Sequence, residues 1–191
     1  MKKPLEIRWH GRGGQGVVTA SRILADATLR EGKYFQSFPE YGPERMGAPV
    51  KAFNRISSHP LRMHCGVTNP DIVVVIDPTL LGLAEILEGL DDKGTIVVNF
   101  EGSPQELREV LGFKGGTVVA VDASRISRDI LGRVIVNTSM LGALGKVVSE
   151  ISMENLLEAV RSQFGEKLRP EVIDKNSLCL TKAYEEAQID G

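Results

Sequence analysis

Six residues near the start of the chain, Gly11-Arg12-Gly13-Gly14-Gln15-Gly16, have the types and spacing to hold a phosphate. Glycines let a backbone turn tightly and come close to a ligand without Cβ collisions. A helix that opens at such a turn offers unpaired N–H groups and a positive dipole end, and Arg12 adds a guanidinium that can fork two oxygens. The same residues can equally form a tight turn that packs helix on strand and binds nothing. A dinucleotide site has a second part, an Asp or Glu about 20 residues on, at the end of the second strand. Gln36-Ser37-Phe38 stand there instead, and Glu40 lies beyond Pro39, so a nicotinamide-dinucleotide reading lacks that part.

A second candidate is Phe38-Pro39-Glu40-Tyr41-Gly42-Pro43-Glu44-Arg45. Prolines lower the entropy lost when a loop is held in one shape, and Tyr and Arg are favoured interface anchors. Tyr41, Glu44 and Arg45 are therefore candidate contacts, against the plainer reading of a surface loop. A third is Asn137-Thr138, a natural N-cap for the helix that follows; Gly142, Ala143 and Gly145 in that helix are small enough to admit another element closely. His10 sits beside the glycine turn, placed either to touch a ligand or to hydrogen-bond the turn. His59, His64 and Cys65 match no zinc spacing, so no metal site is expected. Cys65 and Cys179 read as reduced thiols; an iron–sulfur cluster usually takes four Cys ligands, which this chain lacks. With no G-x-S-x-G, no H-E-x-x-H and no base–nucleophile pair, the residues point to a subunit, not a complete enzyme.

The elements that must position these residues alternate between strand and helix, which predicts a Rossmann-like α/β fold with a mostly parallel sheet. Leu5–His10 reads as the first strand. Val17, Ala20, Leu24 and Ala27 then mark one face of a helix over about 15–31, ended by Gly32. Lys33–Phe38 is a short strand, and the prolines and glycines of 39–49 exclude a helix. Val50–Ser57 and Leu61–Val67 read as an inserted β-hairpin turning at 57–60. Ile72–Ile76 is a β-branched run suited to a strand buried on both faces, followed by Asp77-Pro78 as N-cap and first helical residue. Strands at Thr95–Phe100 and Thr117–Val121 flank a capping box at Ser103-Pro104-Gln105-Glu106. The remainder reads as helical: a short helix from about Ala123, then Met140–Val148, Met153–Phe164 and Glu171–Ala187. In the last of these Ile173, Leu180, Tyr184 and Ala187 share a face.

The 191 residues fit one domain spanning 1–191. A net charge of −2 leaves no basic excess for counterion release, so nucleic acid is not an expected partner. No apolar run approaches the roughly 20 residues of a membrane span, and Met1-Lys2-Lys3-Pro4 is not followed by a secretory apolar region; the expected compartment is the cytoplasm.

Several of these runs together resemble a known family. They are Glu6–Gly16, Phe38–Arg45 with Gly47-Ala48-Pro49, Asn137 with Met140–Leu144, and Pro170–Asp174 with Asn176, in this order over nearly the whole chain. The combination is similar to the γ subunits of pyruvate:ferredoxin oxidoreductases, within the wider 2-oxoacid:acceptor oxidoreductases. Met46 departs from the family's pattern, where a basic or small residue often follows Arg45. The resemblance implies a complex of α, β, γ and δ subunits that decarboxylates pyruvate, passes electrons through iron–sulfur clusters to ferredoxin and places the acyl group on coenzyme A. It implies that thiamine diphosphate, Mg2+ and the clusters lie on the other subunits. The glycine turn with Arg12, helped by Tyr41 and Arg45, is then expected to hold either a diphosphate of coenzyme A at a subunit border or the backbone of a neighbouring subunit, with Gly11, Arg12, Gly13, Gly14, Gln15, Gly16, Tyr41, Glu44, Arg45, Asn137 and Thr138 as the candidate contacts. A γ subunit for another 2-oxoacid (2-ketoisovalerate or 2-oxoglutarate), a stand-alone nucleotide-binding reductase and an assembly subunit with no ligand are the alternatives.

Overall fold

A computed structural model describes residues 3–40, 47–63, 65–165 and 167–191. A seven-stranded sheet runs in the order β2-β3-β1-β4-β5-β6-β7. β1 (Leu5–Arg12), β4 (Ile72–Val75), β5 (Thr95–Asn99) and β6 (Thr117–Val121) are parallel neighbours. β3 (Pro49–Ser57) is antiparallel to both β1 and β2 (Tyr34–Glu40), and the closing strand β7 (Gln188–Asp190) is antiparallel to β6. The mixed α/β class and the parallel centre are as expected from the sequence.

The hairpin is built from other segments than expected. Val50–Ser57 falls within β3, but its antiparallel partner from the neighbouring stretch of sequence is β2, with Tyr34 opposite Ser57 and Glu40 opposite Lys51. The described residues of 61–67 form no strand. β2 and β3 also extend into the proline-rich stretch from both sides. Tyr41, Glu44 and Arg45 lie outside the described residues.

Side-chain alternation along the central strands feeds two cores. On one face Ile7, Trp9, Val74, Val97 and Val119 pack under α1 (Val17–Arg30), α4 (Asn137–Gly145), α5 (Met153–Phe164) and α6 (Pro170–Glu186). On the other Val73, Val75, Ile96, Val98 and Val118 pack under the single-turn 3-10 helices at 78–80 and 84–86 and under α2 (Pro104–Leu111). The predicted capping box at Ser103 is formed. Asp77 caps the 78–80 turn, but no longer helix follows it.

α4 is the central helix: every residue from Asn137 to Leu144 is buried. A Cβ on Gly142 would run into the Leu180 carbonyl, so its missing side chain is what lets α4 and α6 touch backbone to backbone. The N-cap of α4 is Val136; Asn137 and Thr138 lie inside the first turn and make no capping bond. In α6 the buried stripe runs through Asn176, Cys179, Leu180 and Ala183, whereas Tyr184 is exposed and Ala187 lies past the helix end.

Candidate functional site

The carboxyl ends of β1 and β4 form a topological switch point. From β1 the chain leaves through α1 toward the β2 edge; from β4 it proceeds to β5 on the other side. α/β sheets open a crevice where adjacent strands diverge in this way. The glycine turn closes β1 there, and α1 follows it directly.

Different glycines of the turn meet different demands. A Cβ on Gly11 would strike the Val17 side chain, so its bareness seats α1 on the sheet. Gly16 is the N-cap of α1, with φ at 80° in the left-handed region, and a Cβ there would lie 2.7 Å from the Asn137 side-chain nitrogen. Gly14 is left-handed with open space around it. The Gly13 N–H donates to the Ala48 carbonyl at 2.9 Å and the Gly47 N–H to the Gly13 carbonyl at 3.3 Å, which prolongs the β1–β3 ladder into the turn.

Arg12 does not reach out toward a ligand as the sequence suggested. Its Nε lies 3.1 Å from the Asp77 carboxylate, its Nη2 donates to the Thr79 hydroxyl at 2.8 Å, and its Nη1 donates to the Gly47 carbonyl at 3.1 Å. Gln15 is turned inward as well: its Nε2 donates to Asp77 at 2.7 Å, and its Oε1 accepts the Arg12 backbone N–H at 2.7 Å. Burial alone would raise the Asp77 pKa, but hydrogen bonds from Thr79 and Gln15 and the Arg12 charge outweigh it, and the carboxyl is held below the usual aspartate range.

Beside the turn lies a cleft of about 380 Å3. Its polar wall is Gly14, Gln15, Gly16, Thr19, Asn137 and Asn176, with Arg133 at the margin; its apolar wall includes Val134, Phe164, Leu168 and Val172. Asn137 is buried, and its side-chain nitrogen has no partner among the described residues. Thr138, predicted as a ligand contact, donates instead to Asn176 Oδ1 at 2.8 Å and ties α4 to α6. Asn176, Arg133 and Asp77 were not singled out as site residues from the sequence. Asn176 carried a signal in the Pro170–Asn176 run, and Asp77 looked like a cap and nothing more.

His10 faces away from the cleft. It is buried, and its Nε2 accepts from Arg8 Nε at 2.8 Å; among the described residues its side chain makes no bond to the turn. Burial, with the Arg8 and Lys51 charges, pushes its pKa down to about 3, so it stays neutral. Among the described residues no group of three His, Cys, Asp or Glu could hold a metal ion.

The profile of the family described as pyruvate ferredoxin/flavodoxin oxidoreductase matches residues 6–186. The chain belongs to this family. It is 48% identical over 187 residues to the pyruvate synthase subunit PorC of Thermotoga maritima, covering 98% of this chain and 96% of that protein. It is 44% identical to the common γ subunit of the pyruvate and ketoisovalerate oxidoreductases of Pyrococcus furiosus, covering 97% and 98%. The crystal structure of the T. maritima pyruvate oxidoreductase subunit PorC superposes with a TM-score of 0.87 at 44% identity, covering all of both chains. Within the family the chain is a γ-type subunit of a multi-subunit 2-oxoacid oxidoreductase. No helix of the described residues is long and apolar enough to cross a membrane.

Proposed function

We propose that this chain, as one γ-type unit over 1–191, serves a cytoplasmic pyruvate:ferredoxin oxidoreductase alongside α, β and δ subunits. The complex oxidatively decarboxylates pyruvate, transfers the acetyl group to coenzyme A and passes electrons one at a time to ferredoxin. The cleft beside Gly14–Gly16 is this chain's contribution to holding coenzyme A. The observation that carries this role is the juxtaposition of two unlike walls. The N-terminus of α1 and the Asn137 side-chain nitrogen, which has no partner among the described residues, present donors suited to a phosphate, and Phe164, Leu168 and Val172 present an apolar trough, as suits a ligand with an anionic part and an apolar arm.

Thiamine diphosphate, Mg2+ and the clusters belong on the partner chains in this reading. The residues here do not suit a cluster: Cys65 is exposed, whereas Cys179 is buried in α6, where burial pushes its thiol up to about 11. A stand-alone nucleotide reductase is disfavoured because β3 lies between β1 and β2. At about 4.8 Å per strand, the end of β2 is about 10 Å from β1, too far for the usual ribose contact. Service to a second 2-oxoacid is favoured by one observation, the relative named as common to pyruvate and ketoisovalerate oxidoreductases. Choice of oxoacid then rests with other subunits.

Native purification of the tagged chain should bring down larger, brown, cluster-bearing partners that turn over pyruvate. In that complex Asn137→Ala should raise the KM for coenzyme A about tenfold, the worth of one buried hydrogen bond, with assembly intact. An unchanged KM in a fully assembled complex would sink the ligand role, and failure to assemble would favour the purely structural one.

A further inference from the structure

Asp77 stands just past the carboxyl end of β4, the strand adjacent to the glycine turn, and its described side-chain bonds lead back to that turn or to Thr79, two residues on. Oδ1 accepts the Thr79 backbone N–H at 2.9 Å and the Thr79 hydroxyl at 2.7 Å. Oδ2 accepts Gln15 Nε2 at 2.7 Å and faces Arg12 Nε at 3.1 Å. Gln15 in turn accepts the Arg12 backbone N–H, and the Gln15 N–H donates to the Arg12 carbonyl at 3.1 Å. A single carboxylate thus holds the turn through the Gln15 side chain and through the Arg12 guanidinium. Apart from the two backbone bonds of Gly13 to Ala48 and Gly47, the turn has little of its own to hold it, since its glycines bring no side chains and Gly14 and Gly16 are left-handed.

We propose that Asp77 is the positioning residue of the glycine turn: without touching ligand, it fixes Gln15 and Arg12 so that Gly14, Gly16 and the start of α1 face the cleft. An N-cap for a three-residue 3-10 turn needs only Oδ1 and Thr79. The engagement of Oδ2 by two residues of another element is what a cap alone does not require. The functional consequence rests on the proposed role of the cleft; the positioning itself does not.

The test is made on the assembled complex with Asp77→Asn, which keeps an acceptor for Thr79 but loses the charge, and with Gln15→Ala, which cuts the middle of the relay and leaves Asp77 as the cap. Hydrogen exchange of a peptide spanning 11–16 is read against one from the middle of β1, together with kcat and KM for coenzyme A. Positioning predicts that exchange at 11–16 speeds up about tenfold in both variants while mid-strand exchange holds, and that KM rises about tenfold with kcat within about twofold. Selective loosening of the turn with an unchanged KM would still uphold positioning and would instead count against the coenzyme A role. Unchanged exchange at 11–16 in either variant, or loosening spread equally over β1, would overturn the proposal. If Asp77→Asn fails to assemble, Gln15→Ala alone decides by the same readings.

Discussion

Arg8 and Arg12 leave the same strand four residues apart, on the same face, and meet opposite environments. Arg8 is buried and spends its donors on the molecule itself, giving Nη2 to the carbonyls of Glu85, Ile86 and Glu88 and Nε to His10. Arg12 is about one-third exposed at its side chain and is met by a carboxylate, a hydroxyl and one carbonyl beside the glycine turn. The first cluster fastens the 84–88 segment over the sheet, with Arg8 and His10 themselves buried. The second sets the shape of a turn and stays open on one side. Two arginines of one strand therefore divide between holding the fold and holding the site, and burial makes the division.

Removing Arg8 should have the largest effect, because one buried and two part-buried carbonyls and a buried imidazole lose their donor together. Arg8→Ala is expected to lose about 3 kcal/mol, read as a fall in Tm of about 10 °C. An effect no larger than that of Arg12→Ala would erase the contrast. Next comes Gly16→Ala, expected to lose about 2 kcal/mol by urea unfolding, from left-handed strain plus displacement of Asn137. Gly14→Ala, with strain alone, should lose about 1 kcal/mol.

The two clusters should also part company with pH. His10 is neutral in the fold with a pKa near 3, against 6.5 ordinarily. Between those values the unfolded chain binds a proton that the folded chain refuses. Its contribution is therefore fully present above about pH 6.5 and is lost as pH falls toward 3, by up to about 1.4 kcal/mol per pH unit. His10→Gln should flatten that slope in urea titrations run across pH 4–7. Asp77 has a proton balance of the same sign in a lower window: its folded pKa is depressed, so its stabilisation holds above the ordinary aspartate value and is lost only as pH drops below that value and through the lower folded one. The glycine turn should thus outlast the Arg8–His10 cluster on acidification, visible as exchange protection at 11–16 that persists while stability declines. Arg12→Ala should have the smallest effect on stability, below about 1 kcal/mol, since its ion pair is partly solvated. Its effect should show instead as a raised KM for coenzyme A.

Much of the site's frame was legible because it is local. The strand, the glycine turn and the apolar stripe Val17, Ala20, Leu24 and Ala27 lie within one βα unit, and all four stripe residues are buried. Ser103 and Glu106 announced their capping box within four residues, and Gly142 announced a close helix contact by its size. The Asn137 cap was misread because the residue that begins a helix and the residue that meets the turn are both polar, and only the approach of Gly16 tells them apart.

By itself, then, the sequence determined the strand-turn-helix unit, the α/β class, the absence of four cluster-ligating cysteines and the family. Each follows from periodicity, from residue counts or from short motifs that act over one or two turns of chain. Tertiary structure alone decided that β2 pairs with β3, that the last residues return as an edge strand on β6, and that Arg12 turns back to Asp77 across 65 residues of chain. The physical reason is the same in each case. Alternating strands offer their edges to any neighbour of similar pattern, and a guanidinium goes to whichever carboxylate the packed sheet brings within reach.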